Sequence, residues 1–292
     1  MGSEVQASRT AVLVCQGRAA ADGRIAPDRF RDPVAGDLLT DAEREVVQQV
    51  RTGAAPRAWG ERMQYEFVRS CAELMVPRTV AIDDAIRAAA SPQVVILGAG
   101  LDTRAWRMTE LAETPVYEVD HPASQRDKRA RTAERAPVTP SLRFVAVDFA
   151  RGDLAAGLAA AGHDAGVPTT WVWEGVVPYL TPTQVAATVA IIAARSVAGS
   201  RLVINYQIGA FSANLGRMAG RVMARLARIP DPWAQEPHRS AWTPAGIARL
   251  LADHGFAVTE DRDLYEIAEL LGVQARQQTS LRHGRVLVAT LD

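Results

Sequence analysis

The sequence between residues 94 and 108 reads Val94-Val95-Ile96-Leu97-Gly98-Ala99-Gly100-Leu101-Asp102-Thr103-Arg104-Ala105-Trp106-Arg107-Met108. It opens with four apolar residues, three of them β-branched, which predict a strand that is buried on both faces. Gly98 and Gly100 then predict a turn, because glycine tolerates positive φ and lets a ligand approach the backbone closely. The residues from Leu101 onward indicate the first turns of a helix. A strand, a glycine turn and a helix N-terminus together favour nucleotide binding.

The composition bounds the classes of protein to which the chain can belong. With 292 residues, 48% of them apolar, it is long enough for a single α/β domain over residues 1–292. Its 33 basic and 33 acidic residues balance, which argues against nucleic acid as a partner. No apolar run approaches the length of a membrane span, and the first residues lack the layout of a signal peptide, so we expect no membrane partner.

The two cysteines, Cys15 and Cys71, lack the Cys-x-x-Cys spacing of metal and redox sites. No cluster of cysteine and histidine suggests zinc, so we expect no metal. A chain without a disulfide framework fits a reducing compartment. The expected location is therefore cytoplasmic.

Residues 1–90 predict an N-terminal helical cover. Apolar residues recur at helical spacing in three segments, which are residues 11–21, 41–51 and 59–90. Pro77 is expected to interrupt the third helix at Val76, because proline lacks the backbone N–H and clashes with the preceding turn. Arg78 follows this break, and the residues alone favour a solvated or salt-bridged side chain there.

Strands and helices alternate after the glycine turn, which predicts an α/β fold with a doubly wound, mostly parallel sheet. The expected strands are residues 94–97, 115–122, 142–149, 170–174, 201–206, 256–259 and 285–291, the last two closing the sheet. Thr181 and Gln184 form a capping box around Pro182, which predicts a helix start after the fourth strand.

The segment 207–242 differs from the rest of the chain. Residues 207–230 predict one or two amphipathic helices inserted after the fifth strand, and an irregular loop follows. This helical cap is expected to cover the substrate pocket, with apolar walls for a hydrophobic small molecule. A helical pair that packs on the sheet, or that joins two copies of the chain as a homodimer, is the alternative.

Acidic residues end three of the predicted strands. Asp120 follows Gly100 at the separation of about twenty residues that is typical of a ribose-binding carboxylate. Asp148 is suited to the adenine amino group and Phe149 to its ring, although Asp148 is equally suited to capping the helix that begins near residue 153. Glu174 ends an apolar strand and needs a partner or water, so we expect it to line the site.

Two nucleotide cofactors are candidates for binding at this strand, glycine turn and helix N-terminus. A dinucleotide fingerprint requires a third glycine or alanine where Thr103 stands, and a second mononucleotide half is missing. The acids at successive strand ends instead suit a single adenosine, as in S-adenosylmethionine. An NAD(P)-dependent oxidoreductase and a non-catalytic cofactor-binding protein remain alternatives.

Three motifs together resemble the leucine carboxyl methyltransferase family, and most closely its bacterial polyketide O-methyltransferase branch. They are Gly98-Ala99-Gly100-Leu101-Asp102-Thr103-Arg104-Ala105-Trp106-Arg107, Glu118-Val119-Asp120-His121-Pro122 and Glu174-Gly175-Val176-Val177-Pro178-Tyr179-Leu180-Thr181-Pro182. The upstream stretches Thr10-Ala11, Phe30-Arg31-Asp32-Pro33-Val34-Ala35 and Arg78-Thr79-Val80-Ala81-Ile82-Asp83-Asp84 look like the same branch. The resemblance implies a class I methyltransferase, with a Rossmann-like fold and S-adenosylmethionine as its cofactor.

The resemblance also implies roles for individual residues. Arg78 would bind the methionine carboxylate of the cofactor, and Glu174 would lie near its amino group. Gly98 and Gly100 would allow the backbone to lie close to the methionine part of the cofactor. Asp120 would hold the ribose, and Asp148 with Phe149 the adenine.

The expected reaction is O-methylation of a small-molecule carboxylate or hydroxyl, such as a polyketide intermediate in secondary metabolism. The protein-modifying branch has a cysteine after the glutamate, where this chain has Gly175, so a protein C-terminus is the less favoured acceptor. Tyr179 and Tyr206, at strand ends, are the candidate hydroxyls for contact with the substrate in catalysis.

Overall fold

The computed structural model describes residues 8–149, 153–209, 239–274 and 276–292. Its strands are β1 (Gln93–Leu97), β2 (Val116–Asp120), β3 (Leu142–Ala146), β4 (Thr169–Trp173), β5 (Arg201–Gln207), β6 (Phe256–Asp263) and β7 (Gly284–Leu291). They form one sheet in the order β3-β2-β1-β4-β5-β7-β6. The first five strands are parallel, and β7 runs antiparallel to both β5 and β6. The predicted α/β class with a mostly parallel, Rossmann-like sheet is confirmed.

Helices flank both faces of this sheet. They are α1 (Arg9–Ala21), α2 (Asp41–Thr52), α3 (Trp59–Ala89), α4 (Arg104–Arg107), α5 (Pro122–Arg131), α6 (Leu154–Ala160), α7 (Pro182–Ala194), α8 (Pro244–Ala252), α9 (Leu264–Leu270) and α10 (Gln278–His283). The predicted start of α7 is confirmed, because Thr181 and Gln184 form the reciprocal capping box. None of the described helices has the length and apolar character that crossing a bilayer requires.

The sheet separates two apolar cores, because side chains of a strand alternate between its faces. Ile96 and Val172 lie on the face covered by α1 and α3. Trp171 and Trp173 lie on the opposite face, with the apolar residues of α7. The central strand β1 is buried along its whole length, as its uninterrupted apolar sequence predicts.

The expected break at Pro77 is wrong, because α3 is one continuous helix of 31 residues that includes Pro77. An internal proline costs a helix about 3 kcal/mol. Val76, Pro77 and Val80 are all buried against the core, and each fully buried apolar side chain contributes about 1.5–3 kcal/mol. Burial of this face therefore outweighs the lost hydrogen bond, and Arg78 lies within a continuous helix.

The helix expected from Leu101 is also different in the structure, since α4 begins at Arg104 and lasts one turn. Side-chain contacts hold the preceding residues in a turn. The backbone N–H of Arg104 donates to Oδ1 of Asp102 at 2.7 Å, and Arg18 donates to the carbonyl of Leu101 at 2.5 Å. Side chains rather than a long helix dipole therefore stabilise this corner.

The predicted cap at 207–242 lies mostly outside the described residues, which omit 210–238. Its two described ends lie close together, because the N–H of Trp242 donates to the carbonyl of Gln207 at 3.0 Å. The N–H of Arg239 donates to the carbonyl of Pro178 at 2.7 Å. The segment thus leaves and rejoins the fold beside the residues that follow β4.

Candidate functional site

The candidate site lies where four parallel strands end side by side. In sheet order, Asp148 follows β3, Asp120 ends β2, Gly98 follows β1 and Glu174 follows β4. The register aligns Asp120 with Ala146, the last residue of β3. The carboxyl edge of a parallel sheet is where ligands bind in open α/β folds. The structure therefore brings the predicted strand-end residues to one edge.

Both glycines of the first turn adopt left-handed backbone conformations, with φ +69° at Gly98 and +47° at Gly100. A Cβ added at Gly98 would lie 2.1 Å from Cγ2 of Val176, and one added at Gly100 would lie 3.0 Å from Cβ of Ala11. The close approach that glycine permits is therefore to this chain's own side chains. As a result, α1 and the segment after β4 pack directly on the turn.

Asp120 is fixed by backbone donors on both carboxylate oxygens. Oδ2 accepts from the N–H of Gly100 at 2.6 Å, and Oδ1 accepts from the N–H of His121 at 2.6 Å. Burial raises the pKa of Asp120, and the two N–H donors oppose this shift without cancelling it. Each carboxylate oxygen can accept more than one hydrogen bond. The group can therefore still accept bonds from a pair of vicinal hydroxyls.

Asp148 and Phe149 lie just beyond β3, which ends at Ala146, and both side chains are half-buried. The alternative role of Asp148 as a helix cap is wrong. Asp153 caps α6 instead, since its Oδ1 accepts from the N–H of Ala156 at 2.9 Å. Asp148 and Phe149 thus stand at the outer end of the strand-end row.

Glu174 lies between two arginines. Its Oε1 lies 2.7 Å from Nε of Arg78, and its Oε2 lies 2.8 Å from Nη1 of Arg104. Burial alone would raise the pKa of Glu174, but Arg78 and Arg104 outweigh it and lower the pKa to about 2. Glu174 is therefore ionised at neutral pH. The next residue, Gly175, has φ +68°, and a Cβ there would meet nothing within 4 Å.

The ion pairs of Glu174 continue into a larger group of buried charges, which we call the ionic cluster. Its members are Arg18, Asp32, Arg78, Asp83, Asp102, Arg104, Arg107 and Glu174. The four arginines balance the four carboxylates. Burial would raise the pKa of Asp83, but Arg107 and Arg104 outweigh burial and lower it.

Within this cluster the sequence predicts a cofactor role only for Arg78 and Glu174, although Asp32, Asp83, Asp102, Arg104 and Arg107 stand in the stretches that carry the family resemblance. Arg18 lies outside those stretches. A signal was available, because charged residues recur within segments that otherwise have core-like spacing.

The structure separates the two candidate tyrosines. Tyr179 is half-buried on the short turn Val177–Tyr179, close after Glu174. The hydroxyl of Tyr206, expected at the substrate, instead donates to Oδ2 of Asp261 at 2.7 Å within the core. Asp261 also accepts from Nε of Arg285 at 2.9 Å. Burial and Asp261 raise the pKa of Tyr206 well above its ordinary value, so its proton is tightly held.

The chemistry of these groups fits S-adenosylmethionine. That molecule carries a carboxylate, an ammonium, a ribose diol and an adenine. An arginine beside an ionised glutamate suits the first two groups, and Asp120 suits the diol. Asp148 and Phe149 are an acceptor and an aromatic ring at the remaining end. The order of these residues along the sheet edge therefore matches a single extended adenosyl ligand.

Comparison with known proteins supports the same ligand. The family model described as leucine carboxyl methyltransferase matches residues 11–193. A relative from Mycolicibacterium smegmatis, named as an S-adenosyl-L-methionine-dependent methyltransferase, is 33% identical over 270 residues, covering 89% of this chain and 84% of the relative. One from Mycobacterium tuberculosis with the same name is 33% identical over 270 residues, covering 89% of this chain and 83% of its own.

Among solved structures, a DUF574 family protein from Streptomyces avermitilis has a TM-score of 0.58 at 14% identity, covering 86% of this chain and 91% of that one. At this identity the likeness concerns the fold alone. The family match and the sequence relatives identify S-adenosyl-L-methionine as the cofactor and methyl transfer as the activity, in place of the oxidoreductase alternative. The chain belongs to the leucine carboxyl methyltransferase family.

Proposed function

We propose that the chain transfers a methyl group to an oxygen atom of a small molecule, and that this oxygen belongs to a carboxylate. The observation that carries this proposal is the state of Glu174. Both of its carboxylate oxygens are paired with arginines, Oε1 with Arg78 and Oε2 with Arg104, so Glu174 is not free to act as the base that a phenol, whose pKa is about 10, would need. A carboxylate acceptor is already ionised at neutral pH, so it needs no base.

The proposed roles of the cofactor-binding residues follow from their charges. Glu174 accepts from the ammonium of the methionine end, and Arg78 binds its carboxylate through N–H groups beyond the Nε that faces Glu174. Asp120 accepts from the ribose hydroxyls while Gly100 holds it in place. Asp148 and Phe149 take the adenine. When bound, S-adenosylmethionine supplies an electrophilic methyl carbon attached to a positively charged sulfur.

The rest of the chain's contribution is positioning and exclusion of water. Methyl transfer neutralises the anionic acceptor and the cationic donor together, so an aligned, dry site favours it. Residues 239 and 240 close against the turn after β4, since Oγ of Ser240 donates to the carbonyl of Val177 at 2.9 Å. Tyr179 stands on this same turn and is the tyrosine that we propose as a substrate contact.

A protein carboxyl terminus is the second candidate acceptor, because the family description names leucine carboxyl methylation. Both candidates are carboxylates and share the argument from Glu174. Gly175 favours the small molecule. It is left-handed, with φ +68°, and a cysteine in that conformation would be strained, whereas the protein-modifying branch has cysteine at this position.

The test is a transfer assay with methyl-labelled S-adenosylmethionine. The acceptors are carboxylated aromatic and polyketide-like small molecules, their phenolic analogues, a peptide ending in a leucine carboxylate and the same peptide as an amide. We expect label on the small carboxylates that mild alkali releases as methanol, because a methyl ester hydrolyses and a methyl ether does not. Label in an alkali-stable product would refute a carboxylate acceptor. Label on the free-acid peptide alone would refute the small molecule.

A further inference from the structure

The ionic cluster extends from the candidate cofactor site back to the first helix. Arg104 contacts Glu174, and its Nε lies 2.7 Å from Oδ1 of Asp83 on α3. The other oxygen of Asp83 lies 2.7 Å from Nη1 of Arg107. Each charged group is therefore held by the next one along a connected path.

The path continues through a neutral hydroxyl. Nε of Arg107 donates to Oγ1 of Thr103 at 3.1 Å, and that hydroxyl donates to Oδ2 of Asp32 at 2.7 Å. Nε of Arg18 on α1 lies 2.8 Å from the same oxygen. The N-terminal cover and the residues after the glycine turn thus share one set of contacts.

Stability alone does not account for so many buried charges. The side chains of Arg18, Asp32, Asp83, Arg104 and Arg107 each expose 7% or less of their surface. Removing ions from water costs several kcal/mol each, and replacing buried ion pairs by apolar side chains is often neutral or stabilising. A set of this size that ends on Glu174 has a further use in orienting that carboxylate.

We infer that Arg104, Asp83, Arg107, Asp32 and Arg18 are positioning residues that orient the Glu174 carboxylate toward the amino group of the cofactor, so that the N-terminal cover is part of the cofactor site. Both oxygens of Glu174 are held by arginines, and Arg104 is fixed in turn by Asp83 and Asp102. The inference rests on the proposed placement of S-adenosylmethionine, with its methionine end at Glu174.

Two ligands distinguish a positioning role of these residues from a general effect on the stability of the fold. S-adenosylhomocysteine carries the amino-acid end, and 5′-methylthioadenosine lacks it. We expect Asp83→Asn to weaken S-adenosylhomocysteine about tenfold, since a hydrogen bond to a charged group contributes about 1.5–3 kcal/mol. Its affinity for 5′-methylthioadenosine should stay unchanged in calorimetry. If the substitution only destabilised the fold, the affinities for both ligands would fall equally.

The neighbouring residue provides a matched control. Asp84 is also on α3, but it pairs with Arg29 at the surface, where the two side chains expose 46% and 55% of their area. Asp84→Asn removes the same charge from the same helix and should leave both affinities unchanged. Thr103→Val is the milder second variant, because it removes only the hydroxyl between Arg107 and Asp32. It should weaken S-adenosylhomocysteine about threefold.

Glu174→Gln distinguishes the two levels of the argument. If it weakens both ligands equally or neither, the placement of the methionine end at Glu174 is wrong. A second outcome is that Glu174→Gln selectively weakens the binding of S-adenosylhomocysteine, while Thr103→Val and any folded Asp83→Asn leave the affinity ratio of the two ligands unchanged. In that case the positioning role is overturned and the placement stands. A selective loss in either of those two variants, absent in Asp84→Asn, supports the inference.

Discussion

Gly98→Ala tests how tightly the glycine turn packs against the segment after β4. Gly98 has φ +69°, and an added methyl group would lie 2.1 Å from Cγ2 of Val176. The left-handed conformation costs a residue with a Cβ about 1–2 kcal/mol, and forcing a methyl group into packed atoms adds about 1–3 kcal/mol. We therefore expect the free energy of unfolding to fall by about 2–5 kcal/mol.

A second substitution isolates the steric part of this loss. Val176→Ala removes Cγ2 and leaves Cβ, which would lie 3.5 Å from the new methyl group, an ordinary contact. In the Gly98→Ala background, Val176→Ala should therefore recover about 1–3 kcal/mol. Urea unfolding followed by circular dichroism measures the stability of the original chain, the two single variants and the double variant.

Gly53 is the matched control, because it has φ +74° and an added Cβ would meet nothing within 4 Å. Gly53→Ala should lose only about 1–2 kcal/mol. Equal losses for Gly98→Ala and Gly53→Ala, together with no recovery from Val176→Ala, would refute the close packing of this turn on Val176.

Two further substitutions test the charges around β2. Asp120→Asn should lower the affinity for S-adenosylhomocysteine at least about tenfold in calorimetry, and the control Asp127→Asn on α5 should leave that affinity unchanged. An undiminished affinity of Asp120→Asn would remove Asp120 from the site. Lys128→Met should lower the free energy of unfolding by about 3–5 kcal/mol, because Nζ of Lys128 lies 2.5 Å from the buried Glu118 carboxylate. The double variant with Glu118→Met should regain most of this loss in urea unfolding, and a fully stable Lys128→Met would contradict the pairing.

The parts of the fold that the sequence predicted are those set by local pattern. Uninterrupted apolar runs identify the central strands, since they must be buried on both faces. Asp120 could be placed because a strand end and a spacing from Gly100 are both readable along the chain. The start of α7 was predictable for the same reason, because a capping box involves only neighbouring residues.

The errors arose where tertiary contacts override local preference. Pro77 predicts a break, yet the burial of its helix face keeps α3 continuous. Tyr206 stands at a strand end, but its hydroxyl is bound by Asp261, which lies 55 residues away in the chain. Arg18 and Asp32 each look like ordinary surface charges, because a single sequence does not reveal that both are buried beside Thr103.

The hydrogen bond between Trp242 and Gln207 has a consequence for how far the length of the segment between them can change. It brings together the two ends of the segment 207–242 at the edge of the sheet, so β5 and α8 keep their places whatever length of chain runs between them. Lengthening a closed loop adds little entropic cost, about 0.6 kcal/mol per doubling. Changes in the length of this segment are therefore expected to leave β5 and α8 in place.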